Sequence, residues 1–169
     1  MINLMVALIL IISIITDLRS RKILNIVTLP AILAALIYHS LTSGLNGILF
    51  SGQGFLVGLG LLFIPFLMGG IGAGDVKLLA AIGTWKGTMF VLYTGIYGAI
   101  VGGLIAVVIL LKKRQLSFTL KNMLFSLVFL RGVRGSLELI GDKHGAVSIP
   151  YAIPIALGAF ITFLTEIYS

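Results

Sequence analysis

Apolar residues along the chain gather into long runs separated by short polar breaks. The runs fall at about 2 to 16, 26 to 42, 48 to 68, 76 to 85, 88 to 111 and 149 to 167. A helix that crosses a bilayer needs about 20 mostly apolar residues, so the pattern predicts six transmembrane helices. The fourth run is the short one. At about 1.5 Å per residue, Asp75 to Trp85 covers about 16 Å, half a bilayer. It reads either as a re-entrant segment or as a crossing helix tilted into locally thinned lipid.

Charge arbitrates between these. If all six runs cross, the segments 17–25, 69–77 and 112–148 share a side and hold eleven of the twelve Lys and Arg residues, leaving only Lys86. Positive residues favour the cytoplasm, which places those segments inside and both termini outside. Without a fourth crossing, Lys112, Lys113 and Arg114 would fall outside, so six crossings are favoured. In the segment from Gln115 to Ser148 the apolar core, Met123 to Leu130, is too short to span. Lys121, Arg131 and Arg134 flank it, as in an amphipathic helix lying on the cytoplasmic face. Such a helix would anchor the protein to anionic lipid or guide a substrate. Met1 to Thr16 lacks the positive start and small-residue cleavage site of a secretory signal, and reads as a retained first helix. The expected fold is all-α: a polytopic membrane protein with about six transmembrane helices and a cytoplasmic interfacial helix, one membrane domain over 1–169.

Composition agrees with this and excludes other classes. Of 169 residues, 59% are hydrophobic and 10% charged, against about 25% charged in a soluble domain. The net charge of +7 sits in a few polar segments between apolar runs. It therefore reads as membrane orientation rather than nucleic-acid binding, and the lipid bilayer is the expected partner. Cysteine is absent, which excludes disulfides, Cys-ligated zinc and thiol nucleophiles. Gly54 and Gly58 in the third run, and Gly98 and Gly102 with Ala99 and Gly103 in the fifth, are spaced for close helix packing. Trp85 and Tyr168 fall where an interfacial aromatic belt would place them, and His39 near the outer end of the second helix; all three read as structural.

The chain has only five acidic residues, and ionisable groups at membrane depth are costly. Glu138 and Asp142 lie in the polar cytoplasmic segment and Glu166 near the outer C-terminus, all with solvated readings. Asp17 and Asp75 share a side and a depth, at the cytoplasmic end of the first helix and the cytoplasmic start of the fourth. Each has a plain reading: Asp75 as a helix cap, Asp17 as the balance to Arg19, Arg21 and Lys22. Together they have a sharper one. Two carboxylates at low dielectric do not readily both ionise, so one holds a proton while the other stays charged. The charged one can take a proton from water attacking an amide carbonyl while the other donates to the carbonyl oxygen. That chemistry requires no metal and no cofactor. The approach to Asp75 is rich in glycine (Gly69, Gly70, Gly72, Gly74), which lets an extended peptide come near the carboxylate. A dinucleotide-binding reading fails, since Lys77 stands where the third glycine would be and no strand precedes.

The stretch from Gly72 to Trp85, Gly-Ala-Gly-Asp-Val-Lys-Leu-Leu-Ala through Gly83 to Trp85, resembles the signature of type IV prepilin peptidases, which belong to the GxGD class of intramembrane aspartyl proteases. Thr16-Asp17-Leu18-Arg19 to Asn25 and Pro30 is similar to that family's first aspartate, its basic stretch and the Asn or Asp leading into the next helix. Ile149-Pro150-Tyr151-Ala152-Ile153-Pro154 is similar to its closing segment, with Ala152 and Ile153 departing from the pattern. The resemblance spans about 1 to 111 and 147 to 160. It implies removal of the basic leader from prepilin-like membrane proteins at the cytoplasmic border of the substrate's hydrophobic helix, in the cell membrane. It implies catalytic roles for Asp17 and Asp75, with Gly72, Gly74 and Lys77 around them. Lys77, on another helix face from Asp75, has two readings, snorkelling to lipid or a part in the site. Many family members carry a four-cysteine cytoplasmic domain, associated with N-methylation, between the first helices. This chain has about nine residues there and no cysteine, so it resembles the short, peptidase-only branch of Tad-type pilus systems and archaeal counterparts. Two other classes compete: a non-catalytic assembly component, against which the presence of both aspartates argues, and a small proton-coupled transporter, whose acids would lie near the bilayer midplane.

Overall fold

The computed structural model describes residues 1–20, 23–67, 71–112 and 151–168. Among these residues every regular element is a helix: α1 (Ile2–Ser20), α2 (Asn25–Leu67), α3 (Ala73–Lys112) and α4 (Ala152–Tyr168). The interfacial helix expected within 115–148 lies outside the described residues. Met1–Gly102 and Pro150–Ser169 form one compact unit, and of the described residues only the end of α3, 103–112, falls outside it.

The six runs do not emerge as six separate helices, because two pairs of them are continuous. A straight helix of the 43 residues in α2 would be about 65 Å long, twice the thickness of a bilayer. It is not straight. Gly44 has φ 58° and ψ −134°, backbone open to glycine but strained for other residues. There the chain doubles back: Gly47 packs on the His39 carbonyl, and the His39 and Phe50 rings lie 5.2 Å apart. Along an unbroken helix such residues would stand about 12 to 16 Å apart. Gly87, with φ 81° and ψ −176°, reverses α3 in the same way and sets Gly83 against Val91. Each long helix is thus a hairpin, with arms 25–43 and 45–67 in α2, and 73–86 and 88–112 in α3. The short fourth run is the first arm of α3. Among the described residues three helices are long and apolar enough to cross a membrane, Ile2–Ser20, Asn25–Leu67 and Ala73–Val108, and α4 is a shorter apolar helix.

Small residues let these arms meet backbone to backbone. Gly54 packs on Gly83, and Gly58 on the backbone of Leu79 and Ala80, which joins the second arm of α2 to the first arm of α3. Gly98 and Gly158 bring the second arm of α3 onto α4. Gly54, Gly58, Gly98 and Gly102 thus serve packing as expected, whereas Ala99 and Gly103 are exposed and a Cβ on Gly103 would meet nothing within 4 Å. Val6, Ala35, Leu78, Leu79, Ile82, Val91 and Ala159 are fully buried, while Leu4, Ile11, Leu33, Leu41, Leu56, Met89 and Leu104 are exposed. Water would not tolerate so broad an apolar exterior, so the protein is a membrane protein. Trp85 departs from the expected aromatic belt. It is 5% exposed, its indole N–H donates to the Ala31 carbonyl at 3.0 Å, and its own carbonyl lies 3.2 Å from His39 Nε2. Just before the Gly87 reversal its ring faces the first arm of α2, where it fills the bundle.

Polar contacts mark the two ends of the compact unit. At one end the Lys86 ammonium reaches Asn3 Oδ1 at 3.1 Å and the Glu166 carboxylate at 2.6 and 2.9 Å, over the rings of Phe90 and Phe163. The end of α1 beyond Asn3, about 20 Å away along the helix axis, holds Asp17.

Candidate active site

Asp75 stands in the first turn of α3, with Gly72 as the residue before the helix. The Gly72 N–H donates to Asp75 Oδ2 at 3.2 Å, and the Asp75 N–H donates to the Gly72 carbonyl at 3.1 Å. This is the reach-back half of a capping box, so Asp75 does cap its helix. A cap alone is usually exposed, yet Asp75 is 7% exposed. Asp17 lies in the last turn of α1 and is 6% exposed. Its Oδ2 accepts the backbone N–H of Ala152 at 3.1 Å. That amide is the first of α4 and has no partner within its own helix, so a carboxylate from α1 satisfies it. Among the described residues Asp17 makes no ion pair; the pair found there is Lys86–Glu166.

Both carboxylates line one cavity of about 280 Å³, together with Gly72, Gly74 and Lys77. All five residues singled out in the sequence therefore converge. The glycines act in different ways. A Cβ on Gly74 would stand 2.9 Å from Ile23 Cβ and 3.2 Å from Ile23 N, so its absence lets the strip before α2 lie against the first turn of α3. A Cβ on Gly72 would meet Asp75 Oδ2 at 3.0 Å. The close approach expected of a substrate at Gly74 is thus occupied by the chain itself. Lys77 does not turn to lipid: its Nζ donates to Asn25 Oδ1 at 2.9 Å and ties the start of α3 to the start of α2.

Three contributors had no place in the site as read from the sequence: Ile23, and Asn25 and Ala152, which entered only as parts of the family resemblance. Ile23 and Asn25 line the cavity, and the Ala152 amide holds Asp17. An Asn before an apolar run signals a helix start, and nothing in its local sequence announces a bond to a lysine 52 positions away.

Fold and site together define a helical membrane protein that gathers two buried carboxylates at one end of its bundle. The chain belongs to the type IV leader peptidase family: the model of that family matches residues 4–107, more than half of the sequence, including both aspartates. Membership makes it a protease with a general role in leader removal. No curated protein and no solved structure matches the chain.

Proposed function

We propose that the protein is an aspartyl endopeptidase that removes the basic leader of prepilin-like membrane proteins at the cytoplasmic face, with Asp17 and Asp75 as its catalytic pair. The observation that carries this is the shared cavity: two buried acids, far apart in sequence, facing one space at one end of the bundle. Each is held through Oδ2 by a backbone amide from Ala152 or Gly72. The remaining oxygen of each is then available to water and substrate.

One carboxyl holds a proton and the other is charged. The charged carboxylate takes a proton from water as the water oxygen attacks the scissile carbonyl carbon, and the protonated partner hydrogen-bonds to the carbonyl oxygen. When the tetrahedral intermediate collapses, the C–N bond breaks and the captured proton goes to the leaving amine. Six crossings fit this reading, with the hairpins of α2 and α3 contributing two each and α1 and α4 one each. Positive residues then put the cavity at the cytoplasmic side and Lys86 and Glu166 at the outer side. The short link between α1 and α2 and the lack of cysteine favour the peptidase-only branch, without N-methylation. Location at helix ends favours a peptidase over a transporter, whose coupling acids lie near the midplane.

The test is co-expression with a candidate prepilin, scoring leader removal for the unaltered protein and for Asp17→Ala and Asp75→Ala separately. Each variant is expected to lose on the order of 10²- to 10⁴-fold in cleavage rate. Persistent cleavage in either one refutes the pair.

A further inference from the structure

We propose that Asn25 binds the substrate main chain, donating from its side-chain Nδ2 to a peptide carbonyl beside the scissile bond, and that Lys77 is the positioning residue that aims it. This rests on the peptidase reading above and deepens it.

Place comes first. Asn25 lines the same cavity as Asp17 and Asp75, and its neighbour Ile23 is packed against Gly74, one residue from Asp75. The wall carrying Asn25 is therefore fixed against the wall carrying the acid. Direction comes next. Lys77 Nζ lies 2.9 Å from Asn25 Oδ1, and an ammonium only donates, so the carboxamide must turn its oxygen to Lys77 and its NH₂ away. Availability is the third point. An Asn at the start of a helix commonly spends its side chain on the orphan amides of the first turn. Here those of Val27 and Thr28 bond instead to the Leu24 carbonyl, at 3.0 and 3.4 Å. Asn25 is exposed, and its Nδ2 has no partner among the described residues.

The chemistry of the cavity makes such a donor useful. A charged carboxylate only accepts hydrogen bonds, and a pair with one proton offers a single donor, which the scissile carbonyl takes. An extended peptide also presents carbonyls at the neighbouring residues, and these need a donor once they leave water. A neutral amide meets that need without adding charge beside the acids. Lys77 acts through Asn25 in this scheme, which accounts for a cation close in sequence to Asp75 that bonds to an amide.

The experiment uses the full chain, purified in detergent, and the prepilin that the unaltered protein cleaves. Asn25→Ala and Asn25→Asp should each raise KM by roughly fivefold to tenfold, the loss of one hydrogen bond, with a much smaller change in kcat. Asn25→Asp keeps the shape and removes the donor, so a KM like that of the unaltered protein overturns the proposal. Lys77→Met should raise KM likewise and Lys77→Arg, which still donates, should restore it. The double variant Asn25→Ala/Lys77→Met should be no worse than Asn25→Ala alone. Additive losses would show that Lys77 acts elsewhere and overturn its role. Asp17→Asn and Asp75→Asn run in parallel: if they also cleave, the Asp17–Asp75 pair on which the proposed function rests has failed, whereas inactive Asp variants beside unaffected Asn25 variants sink this proposal alone. Comparable melting temperatures across the set exclude misfolding as the cause.

Discussion

Gly72 and Gly74 both lie beside Asp75, yet a methyl group added to each meets different atoms. At Gly74 it meets the main chain and Cβ of Ile23, which cannot move without shifting the strip that leads into α2. Overpacking of that kind costs typically about 1 to 3 kcal/mol. At Gly72 it meets only Asp75 Oδ2, the end of a short side chain that can rotate away. Gly74→Ala is therefore expected to lower both the melting temperature in detergent and leader cleavage. Gly72→Ala is expected to lower the melting temperature less, through loss of the cap bond from the Gly72 N–H, while cleavage falls because rotation moves the carboxylate from its place in the cavity shared with Asp17. Equal thermal losses in the two variants would contradict this account. The two acids were legible in the sequence because so few charges occur in so apolar a chain that each needs a reason. The Ala152 amide was not, since every residue but proline carries one and only the fold decides which of them points at Asp17. Asn25 and Lys77 are legible individually, as a helix start and a cation near an acid, but their bond depends on two helix N-termini meeting.

At the scale of elements, the two reversals are the joints of the molecule and both rest on glycine. Gly44 and Gly87 hold φ at 58° and 81°, and a residue with a Cβ in such backbone costs of order 1 to 3 kcal/mol. Their surroundings differ: a Cβ on Gly44 meets nothing within 4 Å, whereas on Gly87 it runs into the Phe50 ring. Gly87→Ala should thus destabilise the protein more than Gly44→Ala, and Gly87→Ala combined with Phe50→Leu should recover part of the difference. Thermal unfolding of the four proteins in detergent checks the order, and a larger loss at Gly44 would contradict it. The runs of apolar residues marked the arms well, with breaks near 43–47 and 86–87 that coincide with both reversals. The sequence could not tell a polar loop from a single glycine that turns the chain, because either interrupts an apolar run. The same ambiguity displaced Trp85. Beside a break it fits an interfacial belt, and only the packing of the first arm of α3 against the first arm of α2 puts it inside.

At the scale of the molecule, the contacts impose a direction on each described segment of the compact unit. α1 runs from Asn3, at the Lys86 end, to Asp17 at the cavity. The first arm of α2 runs from Asn25 at the cavity to His39 beside Trp85, and the second arm returns past Gly54 and Gly58. The first arm of α3 runs from Asp75 to Lys86, its second arm returns past Gly98, and α4 runs from Ala152, bound to Asp17, to Glu166, bound to Lys86. Segments that alternate in this way put Ser20 and the Gly44 reversal at opposite ends. If the bundle spans the bilayer with its basic end inward, Ser20 faces the cytoplasm and Leu45, which is 79% exposed, faces outward. The native chain has no cysteine, so Ser20→Cys and Leu45→Cys each carry one thiol on a silent background. In intact cells a membrane-impermeant maleimide should label the Leu45→Cys protein and spare the Ser20→Cys protein until the membrane is opened. Labelling of Ser20→Cys in sealed cells would turn the molecule over and place the carboxylate pair on the side away from the cytoplasm. A leader exposed on the cytoplasmic side could then not reach the pair, so the topology and the proposed reaction stand or fall on one measurement.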